Sequence, residues 1–571
     1  MFSLHARALI GCAAATLIAQ THSPSIAHAQ TPSAPQGPIV AVLSQTGVVA
    51  ADHPAASGTG AAILAQGGSA ADAAIATLLT LGVVNPFASG LGGGGFCVVR
   101  DAKTQKAQAL DFREIAPAGA TASMYVVDGA LKRDLSRRGG LAVGVPGEAA
   151  GLWALHQKYG KLPWTQLVQP AQRMAAQGFY VGTLLPKRLA SKQKTMPAPL
   201  ANHFKTSTGQ PLTPHMWFKR PGLGKLLAML AAQGPKGFYE GPVAQAIVQA
   251  TSQTGGILTL KDLRAYAPKW RAPLKGTYRD YTILSMPPPS SGGVAIVQAL
   301  NILSHFDLSK MGWAKSSHVV VEALKHVFAD RARWLGDADF VRVPVAKLTS
   351  KAYAKALATK INLKATRPKE AYGMTKAPPN DSGTSHVSVV DAKGDMVACT
   401  STVNTSFGSM VLVPGYDLVL NNEMDDFSAQ PEAPNAYGLV GNKQNAIAPG
   451  KRPLSSMSPT LVLKAGEPWL AAGASGGPTI ITGTLGTMLQ LMDFGASPQR
   501  AVTGPRLHHQ WLPERVYMEP GQPQVESRLT GAGHQIKIGP AFNSVQIVVR
   551  GPNGWVGVSD PRKHGLPAAA P

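Results

Sequence analysis

The sequence has few cysteines, few charged side chains and no long apolar run beyond its first residues. Three cysteines in 571 residues are too few for a disulfide-rich scaffold, and nothing resembles a zinc ligand set. No apolar run after Gln30 is long enough for a transmembrane helix, so we expect no stable membrane anchor. Hydrophobic residues make up 44% of the chain and charged residues 15%. These proportions are typical of a well-packed globular protein rather than a disordered one.

The charges present are mostly positive, with a formal net charge of +23. A basic balance can indicate nucleic acid or an anionic surface as partner. The Lys and Arg residues are scattered, however, without a basic run and without interleaved aromatic residues, so we do not expect nucleic-acid binding. Attraction of small anionic substrates, or solubility alone, explains the charge.

The N-terminus has the features of a secretory signal peptide. Arg7 precedes a short apolar stretch, and Ala27-x-Ala29 is a small-x-small pattern before Gln30. The run "LIGC" ending at Cys12 resembles a lipoprotein attachment box, but almost no apolar segment precedes it. We therefore predict a signal peptide over residues 1–29 and a secreted, periplasmic protein.

Two cysteines remain after such a cleavage, Cys97 and Cys399. One disulfide is possible by number alone. Both residues lie in apolar, strand-like runs, "GGFCVVR" and "MVACTS", and we expect two buried free thiols.

The two halves of the chain differ in pattern. From Gly47 to Thr366, amphipathic helical spacing dominates, and Asn85-Pro86 ends one such helix. The stretch 362–383 is polar and proline-rich, as in a linker or an exposed tail. After Gly383 the chain reads as hairpins, such as "HVSVV-DAKGD-MVACT" and "VQIVV-RGPNG-WVGVS". Helices and strands in this order favour an α+β fold with antiparallel sheets covered by helices.

The first of these hairpins predicts which residues face each other. A turn at 392–394 places Asp391 opposite Asp395, and the same register places Thr384 opposite Thr402. Alternation then puts Thr384, Thr402 and three further polar residues on one face, namely His386, Ser388 and Thr400. On pattern alone, this face is interpreted as a solvent-facing Thr/Ser ladder.

A second interpretation starts from the glycine before Thr384. If the chain is cut between Gly383 and Thr384, Thr384 gains a free α-amine beside its hydroxyl. The pKa of an α-amine is about 8, so the amine can accept the hydroxyl proton and make Thr384 nucleophile and base in one residue. Gly383 tolerates a strained φ, which would help the Thr384 hydroxyl reach its carbonyl.

At this point the sequence resembles the γ-glutamyltranspeptidases, which are N-terminal-nucleophile hydrolases. The resemblance runs from about Ala41 to Arg562 and rests on several long stretches: "VVNPFASGLGGGGFCVV", "LDFREIAP", "AVGVPGEAAGL", "GTSHVSVVD", "NTSFGS", "LNNEMDDFSAQP", "GKRPLSSMSPT" and "GASGGPTIIT". It implies a four-layer αββα sandwich. It also implies a precursor that cuts itself into a large subunit (30–383) and a small subunit (384–571), both parts of one folded domain.

The resemblance assigns roles to individual residues. Thr384 matches the nucleophile, and Thr402 matches the threonine that hydrogen-bonds to it. Gly476 and Gly477 match an oxyanion-hole pair, whose N–H groups are each worth roughly 3–4 kcal/mol. Arg113, Ser455 and Ser456 resemble the grip on the substrate α-carboxylate. The α-ammonium would lie against Asn404, Glu423 and Asp426. The stretch 431–451, with Tyr437, resembles a lid.

The implied activity is γ-glutamyl transfer and glutathione hydrolysis through a γ-glutamyl-threonine ester. The donors are glutathione or related amides, the acceptors are water, amino acids or peptides, and no metal or organic cofactor is expected. A glutaryl or cephalosporin acylase of the same fold is an alternative, but a glutaryl group carries no ammonium for Glu423 and Asp426. Another alternative is a homologue that binds γ-glutamyl compounds without cleaving them.

Two glycine-rich motifs suggest other chemistry. "GASGG" at Gly473–Gly477 fits Gly-x-Ser-x-Gly, with Asp493 and His508 or His509 following in serine-hydrolase order, so an α/β-hydrolase with Ser475 as nucleophile is a rival interpretation. Its flanks are hairpins, whereas that fold needs parallel strands. "GLGGGG" at Gly90–Gly95 has dinucleotide-type spacing but follows a helix and precedes a strand. We interpret it as close backbone packing.

Overall fold

Two seven-stranded antiparallel sheets lie at the centre of the protein. The structure, a computed structural model, describes residues 41–373, 383–429 and 443–571. The sheet that carries the Thr384 hairpin is called the front sheet here. Its strands, in spatial order, are Ala568–Ala569, Gly47–Ala51, Ser385–Asp391, Met396–Thr402, Gly94–Arg100, Ala107–Phe112 and Lys269–Arg271.

The other large sheet, the back sheet, contains two further predicted hairpins. Its strands, in spatial order, are Ala41–Ser44, Gly554–Ser559, Ser544–Gly551, Glu467–Ser475, Thr460–Lys464, Tyr281–Ser285 and Leu274–Tyr278. Residues before and after position 384 contribute strands to both sheets. Shorter strands pair outside the two large sheets: Val126–Val127 with Ala130–Leu131, Phe179–Tyr180 with Trp217–Phe218, Leu412–Val413 with Leu418–Val419, and Leu507–His508 with Val516–Met518 and Ile536–Ile538.

Helices cover the outer face of each large sheet. The layer outside the front sheet contains Pro54–Ala65, Ala70–Val84, Glu148–Tyr159, Trp164–Gln177, Pro221–Gln233 and Gly241–Ser252. The layer outside the back sheet contains Gly292–Leu303, Leu308–Trp334 and Thr479–Met492. Shorter helices are Arg133–Arg137, Leu184–Lys192, Ala198–His203, Lys236–Tyr239, Leu260–Ala265, Val345–Leu348, Lys351–Ala358, Pro498–Thr503 and Pro523–Gly531. The predicted αββα sandwich is therefore confirmed.

The helix Ala70–Val84 shows how the sequence builds this layering. Ser69 caps it by accepting the N–H of Asp72, and Asp72 accepts the N–H of Ser69 in return, a capping box. Asn85 ends it, as predicted. Its residues are apolar on nearly every side, because it is buried between the front sheet and the outer helices.

The predicted register of the Thr384 hairpin is confirmed, but the interpretation of its polar face as solvent-exposed is wrong. Ser385 pairs with Ser401 and His386 with Thr400. The polar face points into the interior between the two sheets, and His386, Ser388 and Thr400 are fully buried. His386 bonds to the hydroxyls of Thr400 (Nδ1–Oγ1, 2.8 Å) and Ser388 (Nε2–Oγ, 3.1 Å). The ladder is thus a satisfied buried network.

The expectation of two free thiols is also wrong, because Cys97 and Cys399 form a disulfide. They lie directly opposite each other on neighbouring strands, Gly94–Arg100 and Met396–Thr402. Their Cα atoms are 4.1 Å apart. The pairing of these two strands, which are far apart in sequence, brings the sulfurs together, and neither local run contains that information.

The proline-rich stretch before the proposed cut runs over the surface as far as Gly373, and residues 374–382 lie outside the described residues. Thr366 donates to Glu322 (2.6 Å), and Trp511 Nε1 donates to the carbonyl of Lys369 (3.0 Å). The predicted signal peptide, residues 1–29, also lies outside the described residues. In the part of the chain that is described, no helix combines the length and apolar character needed to cross a bilayer.

Candidate active site

The bond between Gly383 and Thr384 lies at the entrance to the central hairpin strand and is surrounded by hydroxyl groups. The Thr384 hydroxyl donates to the Gly383 carbonyl (2.5 Å), and the Thr402 hydroxyl donates to the same oxygen (2.8 Å). The two hydroxyl oxygens are 3.2 Å apart. The N–H of Asn404 donates to the Thr402 oxygen (2.8 Å), which leaves the Thr402 proton directed at the carbonyl. Two hydroxyl groups therefore polarise the carbonyl of the peptide bond at which the sequence analysis predicts cleavage.

The backbone around Gly383 explains why a glycine stands before Thr384. A Cβ at this position would lie 2.8 Å from the carbonyl carbon of Thr405 and 3.0 Å from the carbonyl oxygen of Phe87. Close backbone packing thus excludes any side chain here.

The predicted oxyanion pair lies between the strand Glu467–Ser475 and the helix Thr479–Met492. Gly476 has φ +137° and Gly477 has φ +60°, values that favour glycine. A Cβ on Gly476 would lie 2.7 Å from the carbonyl oxygen of Phe542. The pair precedes a 14-residue helix, whose N-terminus is electropositive and suits a developing negative charge.

Arg113 lies at the centre of the charged part of the site. It is 1% exposed and binds the carboxylates of Glu423 and Asp426, the latter at 2.6 Å. Its Nε donates to the carbonyl of Pro453 (3.2 Å). Burial alone would lower the pKa of Arg113, but the carboxylates of Glu423, Asp426 and Glu114 outweigh it and raise that pKa. The predicted carboxylate grip and ammonium cradle are therefore in contact with each other.

Burial favours the protonated form of two carboxyl groups beside Arg113, those of Glu114 and Glu423. Burial raises the pKa of Glu114 to about 7 and raises that of Glu423 well above its ordinary value. Arg113 opposes both shifts, because its positive charge favours the ionised carboxylates. A substrate ammonium entering this site would add a second cation and favour ionisation of Glu423 further.

The serine pair and Asn404 complete the wall of the cleft. The Ser455 hydroxyl accepts the N–H of Met457 (3.1 Å), and Arg331 Nη2 lies 3.4 Å from the Ser456 hydroxyl. Asn404, with φ +73°, donates its side-chain N–H to the carbonyl of Asn422 (2.9 Å). One cleft is lined by nine of the predicted residues and by Met457, Pro478 and Ile480. The nine are Arg113, Thr384, Thr402, Asn404, Glu423, Asp426, Ser455, Ser456 and Gly477.

The described part of the expected lid, residues 443–451, is fixed beside this cleft. Asn445 Nδ2 donates to the carbonyl of Asp426 (2.7 Å), and its Oδ1 accepts the N–H of Leu454 (3.0 Å). Tyr437, the residue named in the predicted lid, lies outside the described residues. The lid stretch is thus anchored next to the charged wall at its C-terminal end.

Sequence reasoning missed two cations in the site. Lys563 Nζ donates to the carbonyl of Thr384 (2.5 Å) and lies 3.4 Å from Asp52 Oδ2. Burial lowers the pKa of Lys563, and burial also lowers that of Arg331 to about 10. Both lie in segments with unremarkable local patterns. Each has charged neighbours in the sequence, Arg562 beside Lys563 and Asp330 beside Arg331, so the local pattern does not single either residue out.

The described residues do not include the Ser-His-Asp arrangement that the serine-hydrolase interpretation requires. Ser475 is fully buried, and its hydroxyl has no hydrogen-bond partner among the described residues. His508 instead bonds to Thr482 (2.9 Å) and Gln510 (2.9 Å), while Asp493 accepts from the Tyr278 hydroxyl (2.8 Å). His509 accepts the N–H of Trp511 (2.9 Å). Within the described residues, no base therefore bonds to the Ser475 hydroxyl.

The "GLGGGG" motif packs backbone against backbone, as interpreted. A Cβ on Gly92 would lie 2.1 Å from the carbonyl oxygen of Val419, and one on Gly93 would lie 1.9 Å from that of Thr402. These glycines let the chain pass directly behind the Thr402 strand.

One group in the described part of the chain has the residue types of a metal site. Ligand atoms of His318, Glu322 and His534 lie within 4.8 Å of one another. The two imidazoles are hydrogen-bonded to each other (2.8 Å), and Lys325 Nζ lies 3.6 Å from Glu322 Oε1. An ammonium group already faces the carboxylate there, so the cluster fits a buried polar network better than a cation site.

A buried carboxyl group behind Thr402 leads to a prediction on stability. The Ser401 hydroxyl donates to Glu148, and burial raises the pKa of Glu148 to about 8. Because this value lies above the unfolded pKa, protonation favours the fold, and stability is lost as pH rises through about 8. The variant Glu148→Gln cannot ionise and keeps an acceptor for Ser401. We expect its Tm to exceed that of the parent by roughly 2 °C or more at pH 9 and to match it at pH 5.

Thermal unfolding at the two pH values, followed by circular dichroism, checks this expectation. Glu240→Gln is the matched control, because Glu240 is exposed and the charge change is the same. An equal shift in both variants at pH 9, or no shift in Glu148→Gln, would contradict the buried-carboxyl explanation.

The αββα sandwich, with Thr384 at the entrance to a central strand, is the fold of the N-terminal-nucleophile hydrolases. The family model for gamma-glutamyltranspeptidase matches residues 56–570. A glutathione hydrolase proenzyme of Escherichia coli K12 is 42% identical over 532 residues, which cover 91% of this chain and 91% of the relative. The chain belongs to the γ-glutamyltranspeptidase family.

Further relatives agree with this membership. A glutathione hydrolase proenzyme of Pseudomonas sp. strain A14 is 38% identical, over 93% of this chain and 95% of the relative. Among solved structures, cephalosporin acylase from Bacillus halodurans superposes with a TM-score of 0.82 at 28% identity, covering 95% of this chain and 99% of that one. The γ-glutamyltranspeptidase of Helicobacter pylori matches with a TM-score of 0.54 at 40% identity, over 55% of this chain and 92% of that one.

Proposed function

We propose that this protein is a γ-glutamyl transferase and glutathione hydrolase that matures by cutting its own Gly383–Thr384 bond. The observation that carries the proposal is the pair of threonine hydroxyls on one carbonyl, at 2.5 and 2.8 Å. A threonine ladder with only a structural role would have no reason to converge on the peptide bond that precedes it. The named activity of the curated relatives supports the substrate class.

Maturation begins when the Thr384 hydroxyl oxygen attacks the carbonyl carbon of Gly383. The Thr402 hydroxyl stabilises the oxygen as it becomes negative. The C–N bond then breaks, the nitrogen takes the proton that the Thr384 hydroxyl gives up, and Gly383 is left as an ester on Thr384. Water hydrolyses the ester, giving a Gly383 carboxylate and a Thr384 that carries both a free α-amine and a free hydroxyl.

Turnover uses the same threonine. The new amine accepts the hydroxyl proton, and the oxygen attacks the γ-carbonyl of the donor. N–H groups of Gly476 and Gly477 receive the oxyanion, and the amine portion leaves with the proton. A γ-glutamyl ester on Thr384 remains. Water releases glutamate from it, whereas an amino acid or peptide amine gives a new γ-glutamyl amide.

The charged wall selects the glutamyl end of the donor. The guanidinium of Arg113 receives the α-carboxylate, with the hydroxyls of Ser455 and Ser456 beside it. The carboxylates of Glu423 and Asp426, together with Asn404, receive the α-ammonium. When the substrate binds, Arg113 gives up its contacts with Glu423 and Asp426 and forms a salt bridge to the substrate α-carboxylate. Glu423 and Asp426 then bind the substrate α-ammonium. No step of this scheme draws on a metal or an organic cofactor.

The mature protein in this scheme is secreted to the periplasm, and its two subunits, 30–383 and 384–571, stay together. Their shared sheets support this, because strands of each subunit pair with strands of the other. The signal-peptide pattern over residues 1–29 supports the location.

Mass spectrometry of the purified protein tests the proposal. We expect a fragment beginning at Thr384 and, after brief exposure to a slow γ-glutamyl donor, the mass of one γ-glutamyl group added to that fragment. A continuous chain that still hydrolyses glutathione would overturn the maturation scheme, and an adduct on Ser475 would overturn the assignment of the nucleophile.

The disulfide makes a second outcome visible on a gel. Cys97 lies in the proposed large subunit and Cys399 in the small one, so the bridge between them should join the two subunits covalently after cleavage. We expect one band in denaturing electrophoresis without reductant and two bands with it. Cys97→Ser should give two bands in both conditions. Two bands from the parent protein without reductant would show that the bridge does not form in the mature enzyme.

A further inference from the structure

The Lys and Arg residues are scattered along the chain, but the net positive charge is concentrated in one segment because acidic residues are missing there. Residues 149–239 contain twelve Lys or Arg residues and no Asp or Glu, so this segment carries +12 of the chain's formal +23. An acid-free stretch of this length is unexpected if the charge served solubility alone, because soluble surfaces mix both signs.

Several of these basic side chains are displayed on the surface. Lys187, Lys194, Lys205 and Lys219 are exposed, and none of them forms an ion pair with a carboxylate within the described residues. Two acids that pack against this segment are directed inward. Asp417 accepts the N–H of Gly222 (2.8 Å) and faces His203, and the buried Asp72 accepts the N–H of Lys161 (2.9 Å). The positive field of the segment is therefore not neutralised at its surface.

Two aromatic side chains project from the same segment. The strands Phe179–Tyr180 and Trp217–Phe218 pair, so that Phe179 and Phe218 are buried while Tyr180 is 68% exposed and Trp217 52% exposed. The two exposed rings pack edge to face with centroids 4.8 Å apart, and Trp217 Nε1 donates to the carbonyl of Gln177 (3.1 Å). The hairpin is thus fixed from beneath and offers apolar ring surface to the solvent.

The side chains of Trp217 and Lys219 lie next to each other on this hairpin. A Cβ on Gly178 would lie 2.3 Å from Trp217 Nε1 and 3.1 Å from Lys219 Cγ, so the two side chains run side by side over that glycine. Rigid exposed Trp and Tyr rings with lysines at their rim are the side chains that settle at the headgroup level of a bilayer, where rings enter the interface and ammonium groups meet lipid phosphates.

We propose that the hairpin of Tyr180 and Trp217, with Lys219 beside it and with Lys187 and Lys194 in the chain segment that follows Tyr180, is a docking face for the surface of an anionic phospholipid bilayer. The face is referred to below as the basic aromatic face. Its attachment is peripheral and reversible, because two rings and a set of lysines provide interfacial contact without a spanning element. A nucleic-acid partner fits less well, because the two rings pack directly against each other with centroids 4.8 Å apart and leave no gap for a base between them.

Vesicle co-sedimentation of the full chain as purified tests the proposal. Vesicles of phosphatidylcholine with 30 mol % phosphatidylglycerol are compared with pure phosphatidylcholine at about 0.05, 0.15 and 0.5 M salt. We expect binding to the anionic vesicles only, weakening as salt rises. In brominated-lipid vesicles, we expect quenching of tryptophan fluorescence that is lost in Trp217→Phe, which would place this ring at the interface.

Two sets of variants with the same charge change locate the effect. Lys187→Gln with Lys194→Gln and Lys219→Gln should weaken binding by roughly tenfold or more. Lys103→Gln with Lys275→Gln and Lys355→Gln, three exposed lysines outside the acid-free segment, should change it far less. Tyr180→Ser with Trp217→Ser should weaken binding at high salt more than at low salt. Circular dichroism and gel filtration confirm that each variant is folded.

Three results would overturn the proposal. One is equal binding to neutral and anionic vesicles. Another is an equal loss in the two lysine sets, which would attribute binding to net charge rather than to this face. The third is unchanged binding in the double aromatic variant combined with tighter binding to a DNA duplex than to vesicles, which would assign the face to a polyanion without lipid.

Discussion

Thr384→Ala should give a single uncut chain without γ-glutamyl hydrolase activity. The alanine removes the oxygen that lies against the Gly383 carbonyl (2.5 Å), and with it both the maturation nucleophile and the turnover nucleophile. The Thr402 hydroxyl remains near the bond, but it donates to the carbonyl oxygen (2.8 Å) and the amine that would serve as base never forms. Loss of the nucleophile should lower kcat on the order of 10⁶-fold. Denaturing electrophoresis with reductant and the rate on a γ-glutamyl anilide measure the two effects.

Thr384→Ser is the matched control for this variant. It keeps an oxygen at the same position and loses only a methyl group, so it should still cut itself and turn over, at a lower rate. Two fragments or substantial turnover from the alanine variant would show that another group performs the chemistry. A serine variant that is folded but uncut would show that the methyl contact, not the oxygen, limits maturation.

The region around Thr384 was predictable because its determinants are local. The turn at 392–394 and strict alternation fix the hairpin register, and the register places Thr384 opposite Thr402. The back-sheet hairpins were predictable for the same reason, since each is a pair of apolar runs across a turn. The burial of the polar face of this hairpin was not predictable, because it depends on the back sheet, which packs against that face and excludes water.

Features that depend on distant segments could not be predicted from local patterns. The Cys97–Cys399 bridge needs the pairing of strands from opposite sides of the cut. Lys563 reaches Thr384 from near the C-terminus, and Arg331 reaches Ser456 from the last turn of the helix Leu308–Trp334. The requirement for glycine at 383 comes from Thr405 and Phe87, which no reading of the strand itself could reveal.

Arg113→Ala should cause the largest loss among the binding residues, because Arg113 is buried and contacts both acidic members of the cradle. Its removal takes the cation from the substrate α-carboxylate and leaves Glu423 and Asp426 to repel that carboxylate. Breaking a buried, hydrogen-bonded charge pair costs about 3–5 kcal/mol, so kcat/KM for a γ-glutamyl anilide should fall at least on the order of 100-fold, mainly through KM. Arg113→Lys retains the positive charge but cannot bind a carboxylate through two N–H groups at once. Its kcat/KM should therefore lie between that of the parent and that of Arg113→Ala.

Comparing kcat/KM for three donor substrates distinguishes binding of the α-carboxylate by Arg113 from binding of the α-ammonium by Glu423. The same comparison controls for general damage to the fold. The γ-glutamyl anilide carries both charged groups, the glutaryl anilide lacks the ammonium, and the 4-aminobutyryl anilide lacks the carboxylate. Arg113→Ala should lower kcat/KM for the first two and leave the third nearly unchanged, since that donor has nothing for the guanidinium to bind. Glu423→Gln should lower kcat/KM for the γ-glutamyl and 4-aminobutyryl donors and spare the glutaryl one. A uniform loss across all three donors would mean that Arg113 maintains the fold of the cleft rather than binding substrate. A parent enzyme that prefers the glutaryl donor would identify an acylase of the same fold, because only an unused ammonium cradle is compatible with that preference.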